Sequence, residues 1–403
     1  MNIVKARTVK SIILISFLIM LFFNGCNTYT SNVFEIFSID DFQQNSIALS
    51  AGHSMIINNE NQLLAWGNNR HGQLGDSTSI SRYYLVSVME NVVSVSSRGN
   101  HTLALTNDGL LWGWGQNDVG QVGTTSTAYQ NQPMHIKSNV VAISAGTNTS
   151  FVIQSDGSLW GWGLNNFGQI GNGTTQNLHD PVRIMDDVRM VSSYTLTTMA
   201  VKSDNTLWGW GIIDLSQFGT TPLSSQTSPM HIMDDVLYVS VGSSHISIIK
   251  TDNSLWTWGW NLYGQLGDGT FTNQFYPIHV LDDVVSVVSG SGTTMAIQSD
   301  GNLLVWGRND DNFIKNITND INISIPTHIM ENIVAVADGV SSFIALKSDG
   351  TLWSWGYVMY PLYGYELFNE FQNIFSSRHI PSLTLYYPLM IAEDIMLPTR
   401  IFR

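Results

Sequence analysis

A Trp-Gly dipeptide returns at Trp66, Trp114, Trp162, Trp210, Trp258, Trp306 and Trp355, five times after 48 residues and once after 49. A fixed period of this length marks a chain built from stacked copies of one supersecondary unit, so the 403 residues are read as one array rather than two or three unrelated domains. Each Trp-Gly is preceded by a turn signal: Glu60-Asn61, Asp108-Gly109, Asp156-Gly157, Asp204-Asn205, Asp252-Asn253, Asp300-Gly301 and Asp349-Gly350. These pairs suit a two-residue hairpin turn with both central residues at positive φ. Apolar runs flank them, as in Phe151-Val152-Ile153 and Leu159-Trp160-Gly161-Trp162-Gly163, and read as strands. After the tryptophan comes Gly72-Gln73-Leu74-Gly75, echoed at Gly120 to Gly123, Gly168 to Gly171, Ser216 to Gly219 and Gly264 to Gly267. A further strand then opens at Pro133, Pro181, Pro229, Pro277, Pro326 and Pro398.

Four strand-like stretches per unit, seven times over, predict an all-β chain: a seven-bladed β-propeller of four-stranded blades of about 48 residues. Helical solenoids are excluded because Gly and Pro punctuate every segment. In Leu-Trp-Gly-Trp-Gly the tryptophans fall on one face of the strand and the glycines on the other, which would let a neighbouring blade's indole lie against bare backbone. The C-terminal Pro398 to Arg403 and the N-terminal Ile47-Ala48-Leu49 are complementary parts of one unit. The N- and C-terminal strands are therefore expected to share the last blade and close the ring, which removes open sheet edges.

Ser50-Ala51-Gly52-His53-Ser54, then Leu63 to Gly67, Asn69 and Gly72-Gln73-Leu74-Gly75, together resemble the repeat of the regulator of chromosome condensation family. The resemblance covers residues 47–403 and implies a seven-bladed β-propeller. Units one to five carry it well, with His53, His101 and His245 in one register and Thr149 and Thr197 in the same place elsewhere. Units six and seven lose the Gly-Gln-Leu-Gly element, reading Asp310 to Phe313 and Tyr360 to Gly364 there. The family's founder is a nuclear exchange factor for a small GTPase that binds chromatin, while secreted bacterial members bind an enzyme through loops on one face. One propeller hosts many jobs, so the resemblance specifies fold more than function.

Residues 1–26 read as a lipoprotein-type signal peptide. Lys5, Arg7 and Lys10 precede an apolar run from Ser11 to Phe23 that is too short to span a bilayer, and the chain's one cysteine follows at Cys26, the expected lipidation site. Gly25 fits a lipobox, whereas Phe23 and Asn24 depart from it. Residues 27–46 form a polar tether, and 47–403 the propeller. The expected address is the bacterial cell envelope or surface, with the membrane reached through the lipid anchor alone. A single cysteine excludes an internal disulfide. Seventeen Lys and Arg against 31 Asp and Glu give a net charge of −14, which repels phosphate backbones and disfavours nucleic acid as a partner. Nucleotide exchange is disfavoured on the same grounds.

No catalytic residue, metal ligand or cofactor is assigned. His135, Arg183, His231, His279, His328 and Arg400, with Ser87 in unit one, recur two residues past the strand-opening position. They read as a structural contact repeated on each blade or, less simply, as an axial ring. His53, His101 and His245 read as structural, satisfying backbone hydrogen bonds. Asp186-Asp187, Asp234-Asp235 and Asp282-Asp283 recur at one turn and read as a solvated acidic rim rather than a catalytic pair. The repeat is broken once more. Pro326 to Pro398 spans 72 residues, so the last unit holds about 23 extra residues within 357–396. Its aromatic side chains Tyr357, Tyr360, Tyr363, Tyr365, Phe368, Phe371 and Phe375 are the candidate binding loop. A lid or a plug of the ring stays open beside that reading. The expected function is a monomeric propeller scaffold that binds a protein or ligand. Two alternatives are an inhibitor or sensor of an extracellular enzyme and a polysaccharide-acting propeller enzyme.

Overall fold

The structure is a computed structural model that describes residues 42–50, 52–58, 60–125, 128–213, 224–309, 322–339, 342–356 and 395–400. All belong to one unit, Ile39–Arg403, and every regular element among them is a strand. Blade three shows the pattern: Val140–Ala145, Thr149–Gln154, Leu159–Gly163 and Leu178–Met185 form an antiparallel meander. The strands group into seven four-stranded sheets, each made of four consecutive strands. Inner strands of successive sheets pack side by side around the axis, and the fourth strand lies outermost. Six sheets are described strand for strand. In the seventh, the outer strand Ile395–Arg400 pairs with Leu352–Gly356, with Trp353 opposite Arg400, Ser354 opposite Thr399, and Gly356 opposite Ile395. The signal segment, Cys26 and nearly all of the tether lie outside the described residues, as does the insertion's run 357–394.

Ring closure differs from the sequence expectation. The N-terminal strand Phe42–Leu49 is the inner strand of the first sheet, and Ile395–Arg400 is the outer strand of the last. The termini share no blade. Each sheet is made of four consecutive strands, and closure comes from Phe42–Leu49 packing against the inner strand Ile333–Asp338 of blade seven. The approach is tight: a Cβ on Gly339 would lie 2.7 Å from Cδ2 of Leu49.

The hairpin between second and third strands also differs in detail. Gly109 N–H donates to Thr106 O at 2.9 Å, and Thr106 N–H donates to Leu110 O at 3.0 Å, closing a three-residue loop. Only its last residue has positive φ: Asn61 62°, Gly109 77°, Gly157 79°, Asn205 66°, Asn253 64°, Gly301 84° and Gly350 79°. This is a type I turn followed by a left-handed residue, which tolerates Asp at the second turn position. Asp156 instead accepts from Ser158 N–H at 2.9 Å and Ser158 Oγ at 2.6 Å, and those hydrogen bonds hold its carboxyl below the usual range.

Blades are joined by one repeated clamp. Trp114 Nε1 donates to the main-chain carbonyl of Gln73 at 2.9 Å, in the preceding blade. Trp162 does the same to Gln121 at 3.1 Å, Trp210 to Gln169 at 3.0 Å and Trp306 to Gln265 at 2.9 Å. Each indole lies on a bare glycine, but not on one of the Trp-Gly motif as expected. A Cβ on Gly75, the last residue of Gly-Gln-Leu-Gly, would stand 2.7 Å from Trp114 Nε1, with 2.9 Å for Gly123 against Trp162 and 2.6 Å for Gly171 against Trp210. The glycine of the third strand faces its own blade, as Gly161 does toward the Phe151 ring. Trp114, Trp162, Trp210, Trp258, Trp306 and Trp355 are fully buried, while Trp66 in the ring-closing blade is only half-buried.

The clamp makes two substitutions informative. Trp162→Ala should lower the unfolding free energy by about 3 to 5 kcal/mol, and Gly123→Ala should destabilise through the clash with the same indole at positive φ. Urea unfolding followed by tryptophan fluorescence checks both. Unchanged midpoints would show that the blades are joined by something else.

Candidate functional site

The second strands begin where blades meet, and there the residue after each histidine register completes the clamp. Thr102 Oγ1 donates to Gln73 O at 3.0 Å, Ser150 Oγ to Gln121 O at 2.7 Å, Thr198 Oγ1 to Gln169 O at 2.9 Å and Thr294 Oγ1 to Gln265 O at 2.7 Å. The same hydroxyls meet the histidines of the preceding blade: His53 Nε2 to Thr102 at 3.1 Å, His101 to Ser150 at 3.0 Å and His245 to Thr294 at 2.8 Å. The hydroxyl proton is committed to the carbonyl, so His53 donates from Nε2 and accepts on Nδ1 from Ser50 Oγ at 2.6 Å. The three histidines are structural, as read, though their main partners are hydroxyls rather than backbone groups. Burial pushes His53 down to about 3, His101 to about 4 and His245 to about 3, so all are neutral and do no acid-base work near neutrality.

The loop holding the accepting carbonyl is itself organised by a buried asparagine. Asn69 Oδ1 accepts from Leu74 N–H at 2.9 Å while Nδ2 donates to Thr78 O at 3.1 Å and Ile80 O at 3.2 Å. Asn117, Asn165 and Asn261 repeat the contact to Val122, Ile170 and Leu266. Of these, sequence inspection singled out only Asn69; the recurrence three residues after each second tryptophan was the available signal.

The recurrent His/Arg position lies on the outermost strands, far from the axis, so the axial-ring reading is overturned. There His135 meets Trp112 edge-on with centroids 5.7 Å apart, His231 meets Trp208 at 5.5 Å and His279 meets Trp256 at 5.5 Å. His231 and His279 contact Asp234 at 2.9 Å and Asp282 at 2.8 Å, and Arg183 pairs with Asp186. The second aspartate of each pair has a turn conformation, with φ of 59° at Asp187, 63° at Asp235 and 58° at Asp283. The acidic pairs are exposed turns, as expected. Among the described residues, no three His, Cys, Asp or Glu side chains converge as a metal site requires.

The polar side chains that do converge were missed by sequence reading. One cavity of about 300 Å³ sits on the ring axis and takes residues from all seven blades: Ser50, Arg98, Thr147, Tyr194, Ser243, Ser291 and Asp338. A larger cavity, about 750 Å³, is lined by inner-strand residues such as Val285 and Val336 and by turn residues such as Gly301 and Asn332, at the opposite end of the blades. The smaller one concentrates the chemistry. The guanidinium carbon of Arg98 lies 4.1 Å from the centre of the Tyr194 ring, linking blades two and four past Gly146 of blade three. Burial raises the Tyr194 phenol, with the neighbouring Arg98 charge acting against it and that of Asp338 adding to it. Asp338 is buried, and Thr293 Oγ1 approaches it at 3.4 Å. The signal lay in a broken register: Gly146, Gly242, Gly290 and Gly339 occupy one position, where blades two and four carry Arg98 and Tyr194. Gly290 has to be small, because a Cβ there would collide with the Asp338 carboxylate.

Beside this chamber, on the same face, the loop of blade five exposes Trp260, Leu262 and Tyr263. Tyr263 lies over Gly292, next to chamber-lining Ser291, where a Cβ would stand 3.0 Å from its ring. Blade one has Asn68, Arg70 and His71 at the corresponding places. The sequence-predicted loop residues Tyr357, Tyr360, Tyr363, Tyr365, Phe368, Phe371 and Phe375 lie outside the described residues. Their segment connects a third strand to a fourth, the same kind of connection as the Trp260 loop.

The repeated Trp, Gln carbonyl and hydroxyl clamp sets the chain beside known propellers. Residues 28–281 match the RCC1-like domain, and residues 284–312 match the regulator of chromosome condensation (RCC1) repeat. The chain belongs to the RCC1-like domain family. It is similar in fold to yeast RCC1 (Prp20) in a complex with Kap60, at TM-score 0.69 and 18% identity over 94% of this chain and 90% of that one. A second structure of Prp20p from Saccharomyces cerevisiae, described with its binding to Gsp1p and histones, matches at TM-score 0.69 and 18% identity over 93% and 91%. Human WBSCR16 matches at TM-score 0.67 and 22% identity over 76% and 87%. No curated protein sequence matches the chain.

The histidines give the RCC1-like fold of this chain a defined acid sensitivity. Their folded values lie below the ordinary 6.5, so between about pH 6.5 and 4 the unfolded chain binds protons that the folded chain does not. Stability is complete above that window and falls within it by about 1.4 kcal/mol per histidine per pH unit. Changing all three to Thr, the residue of blades three and four, should flatten the urea midpoint between pH 6.5 and 4.5. An unaltered slope would assign the sensitivity to other groups.

Proposed function

We propose that this chain is a recognition propeller rather than a catalyst: a monomeric ring of seven blades, exported, lipidated at Cys26 and displayed at a bacterial envelope or surface. It binds a protein partner through the face that carries the axial chamber. The observation that supports this reading most is the exposed cluster of Trp260, Leu262 and Tyr263 at the chamber's edge, on a rigid clamped scaffold. Large aromatic side chains fixed beside a polar depression supply contact area at low entropic cost. The insertion with Tyr357 to Phe375 joins the same kind of inter-strand connection and enlarges that surface in this reading. The net charge of −14 favours a partner that is not acidic, and contact at the rim weakens with salt. Kap60, Gsp1p and histones are described with Prp20, a different protein, and a secreted, acidic chain of this kind is read as meeting none of them.

Two experiments test the proposal. The full chain and a Trp260→Ser/Tyr263→Ser variant, both shown folded by their melting curves, are used to capture partners from native envelope extract. A protein retained by the first and lost from the second is the expected result, and equal retention removes the face from consideration. Metabolic labelling with a lipid precursor should mark the wild-type chain and not Cys26→Ala; label on both chains would refute lipidation at this residue.

A further inference from the structure

The end of the ring opposite the chamber is built on a repeated irregularity. In six inner strands one extra residue stands against the second strand, a bulge at Val93, Val141, Arg189, Leu237, Val285 and Val334. A bulge bends its strand and re-aims the side chain it adds. Each of these residues is the second of its inner strand, so they share one level of the ring. All but Arg189 are apolar, and Val93, Val141, Leu237 and Val285 are between 41% and 57% exposed. Exposed singly, such side chains need no explanation; gathered around one axis they form a patch of the kind that marks an interaction site. Val285 and Val334 also line the cavity of about 750 Å³, together with Ile47, Val336 and, from a hairpin turn, Asp300.

The turns around this mouth are acidic. Main-chain hydrogen bonds set the hairpins against the start of the next inner strand: Val236 N–H donates to Asn205 O at 2.9 Å, Val284 N–H to Asn253 O at 3.0 Å and Ile333 N–H to Gly301 O at 2.9 Å. Asp204, Asp252 and Asp300 precede those carbonyls, and Asp235 and Asp283 precede Val236 and Val284. All five carboxylates are on exposed residues, and none belongs to an ion pair among the described residues. Arg189 is tied to the rim, where its Nη2 donates to the carbonyls of Val236 at 3.0 Å and Leu237 at 2.7 Å.

We propose that this end of the ring is a second docking surface, for a basic segment of a partner protein that sets an apolar side chain in the mouth and its Lys or Arg side chains against the surrounding carboxylates. Carboxylates around an apolar centre are complementary to a cationic amphipathic segment and reject an anionic one. The same charges disfavour an anionic bilayer, and two copies meeting at this end would bring like charges together. The surface lies at the opposite end from the Trp260 cluster, so it does not rest on the function proposed above.

The test follows binding to the full chain by fluorescence anisotropy at low salt, with three short labelled peptides: Lys alternating with Leu around a central Trp, the same peptide with Glu for Lys, and Lys alternating with Ser. The Lys/Leu/Trp peptide should bind at least about tenfold tighter than either of the others. Leu237→Ser/Val285→Ser, checked for folding by its melting curve, should lose about tenfold in affinity. Asp235→Asn/Asp283→Asn should weaken binding by about threefold and flatten its salt dependence. Asn already occupies the same positive-φ turn position at Asn91, Asn139 and Asn332, so that variant keeps the turn. Trp260→Ser/Tyr263→Ser should bind the peptide as the wild-type chain does. The proposal is overturned by no binding, by equal binding of the Lys/Ser peptide, by unaltered affinity of the Leu237→Ser/Val285→Ser variant, or by loss of binding in the Trp260→Ser/Tyr263→Ser variant. A dimer in sedimentation that Leu237→Ser/Val285→Ser dissolves would also overturn it and assign the face to a second copy.

Discussion

At four junctions of this propeller a single backbone carbonyl joins one blade to the next. The oxygen of Gln73 accepts from the indole of Trp114 and from the hydroxyl of Thr102, both in the next blade, and the arrangement repeats at Gln121, Gln169 and Gln265. A carbonyl has two lone pairs, so both bonds are made without competition, and both are buried where an unmade hydrogen bond is costly. Around it the glycine that follows admits the indole, the buried asparagine holds the loop, and the neutral histidine fixes the hydroxyl's orientation. Hydrophobic burial of the tryptophans supplies the bulk of the attraction between blades, while the carbonyl sets their angle and register.

The same clamp explains where the repeat relaxes. Blade six replaces Gly-Gln-Leu-Gly with Asp310 to Phe313, and the indole of Trp355 in the following blade is buried without a hydrogen-bond partner. Beyond Trp355 the sequence enters the long insertion. The clamp is described from blade one through blade four and again between blades five and six, and the Gly-Gln-Leu-Gly element is lost from the sequence of units six and seven. Specialised features on a repeat scaffold are tolerated where the packing constraint is weakest.

Much of the architecture was legible because it is periodic. A 48-residue recurrence of Trp-Gly, turn pairs and apolar strands needs no tertiary information to announce four-stranded units, and the exposed acidic pairs and structural histidines were read correctly from their repetition. Two inferences failed for geometric reasons. Both glycines of the Trp-Gly motif were assigned to the neighbouring indole, but alternation along a strand identifies a face and not what that face meets. The termini were joined in one blade, although the same complementary segments also satisfy two complete blades side by side.

The sequence by itself determined the repeat, the strand and turn order, the tryptophans that fill the blade interfaces and the family to which the chain belongs. These are properties of local period and composition, which survive without knowledge of the ring. Only the tertiary structure decided which strand lies innermost, and with it that the His/Arg positions face outward while Arg98, Tyr194 and Asp338 face one another. Those three residues are separated by 96 and 144 positions, and closure of the ring alone brings them to the axis. The departures of Arg98 and Tyr194 from the glycine register were visible in the sequence, but a departure acquires chemical meaning only when the fold shows what stands opposite.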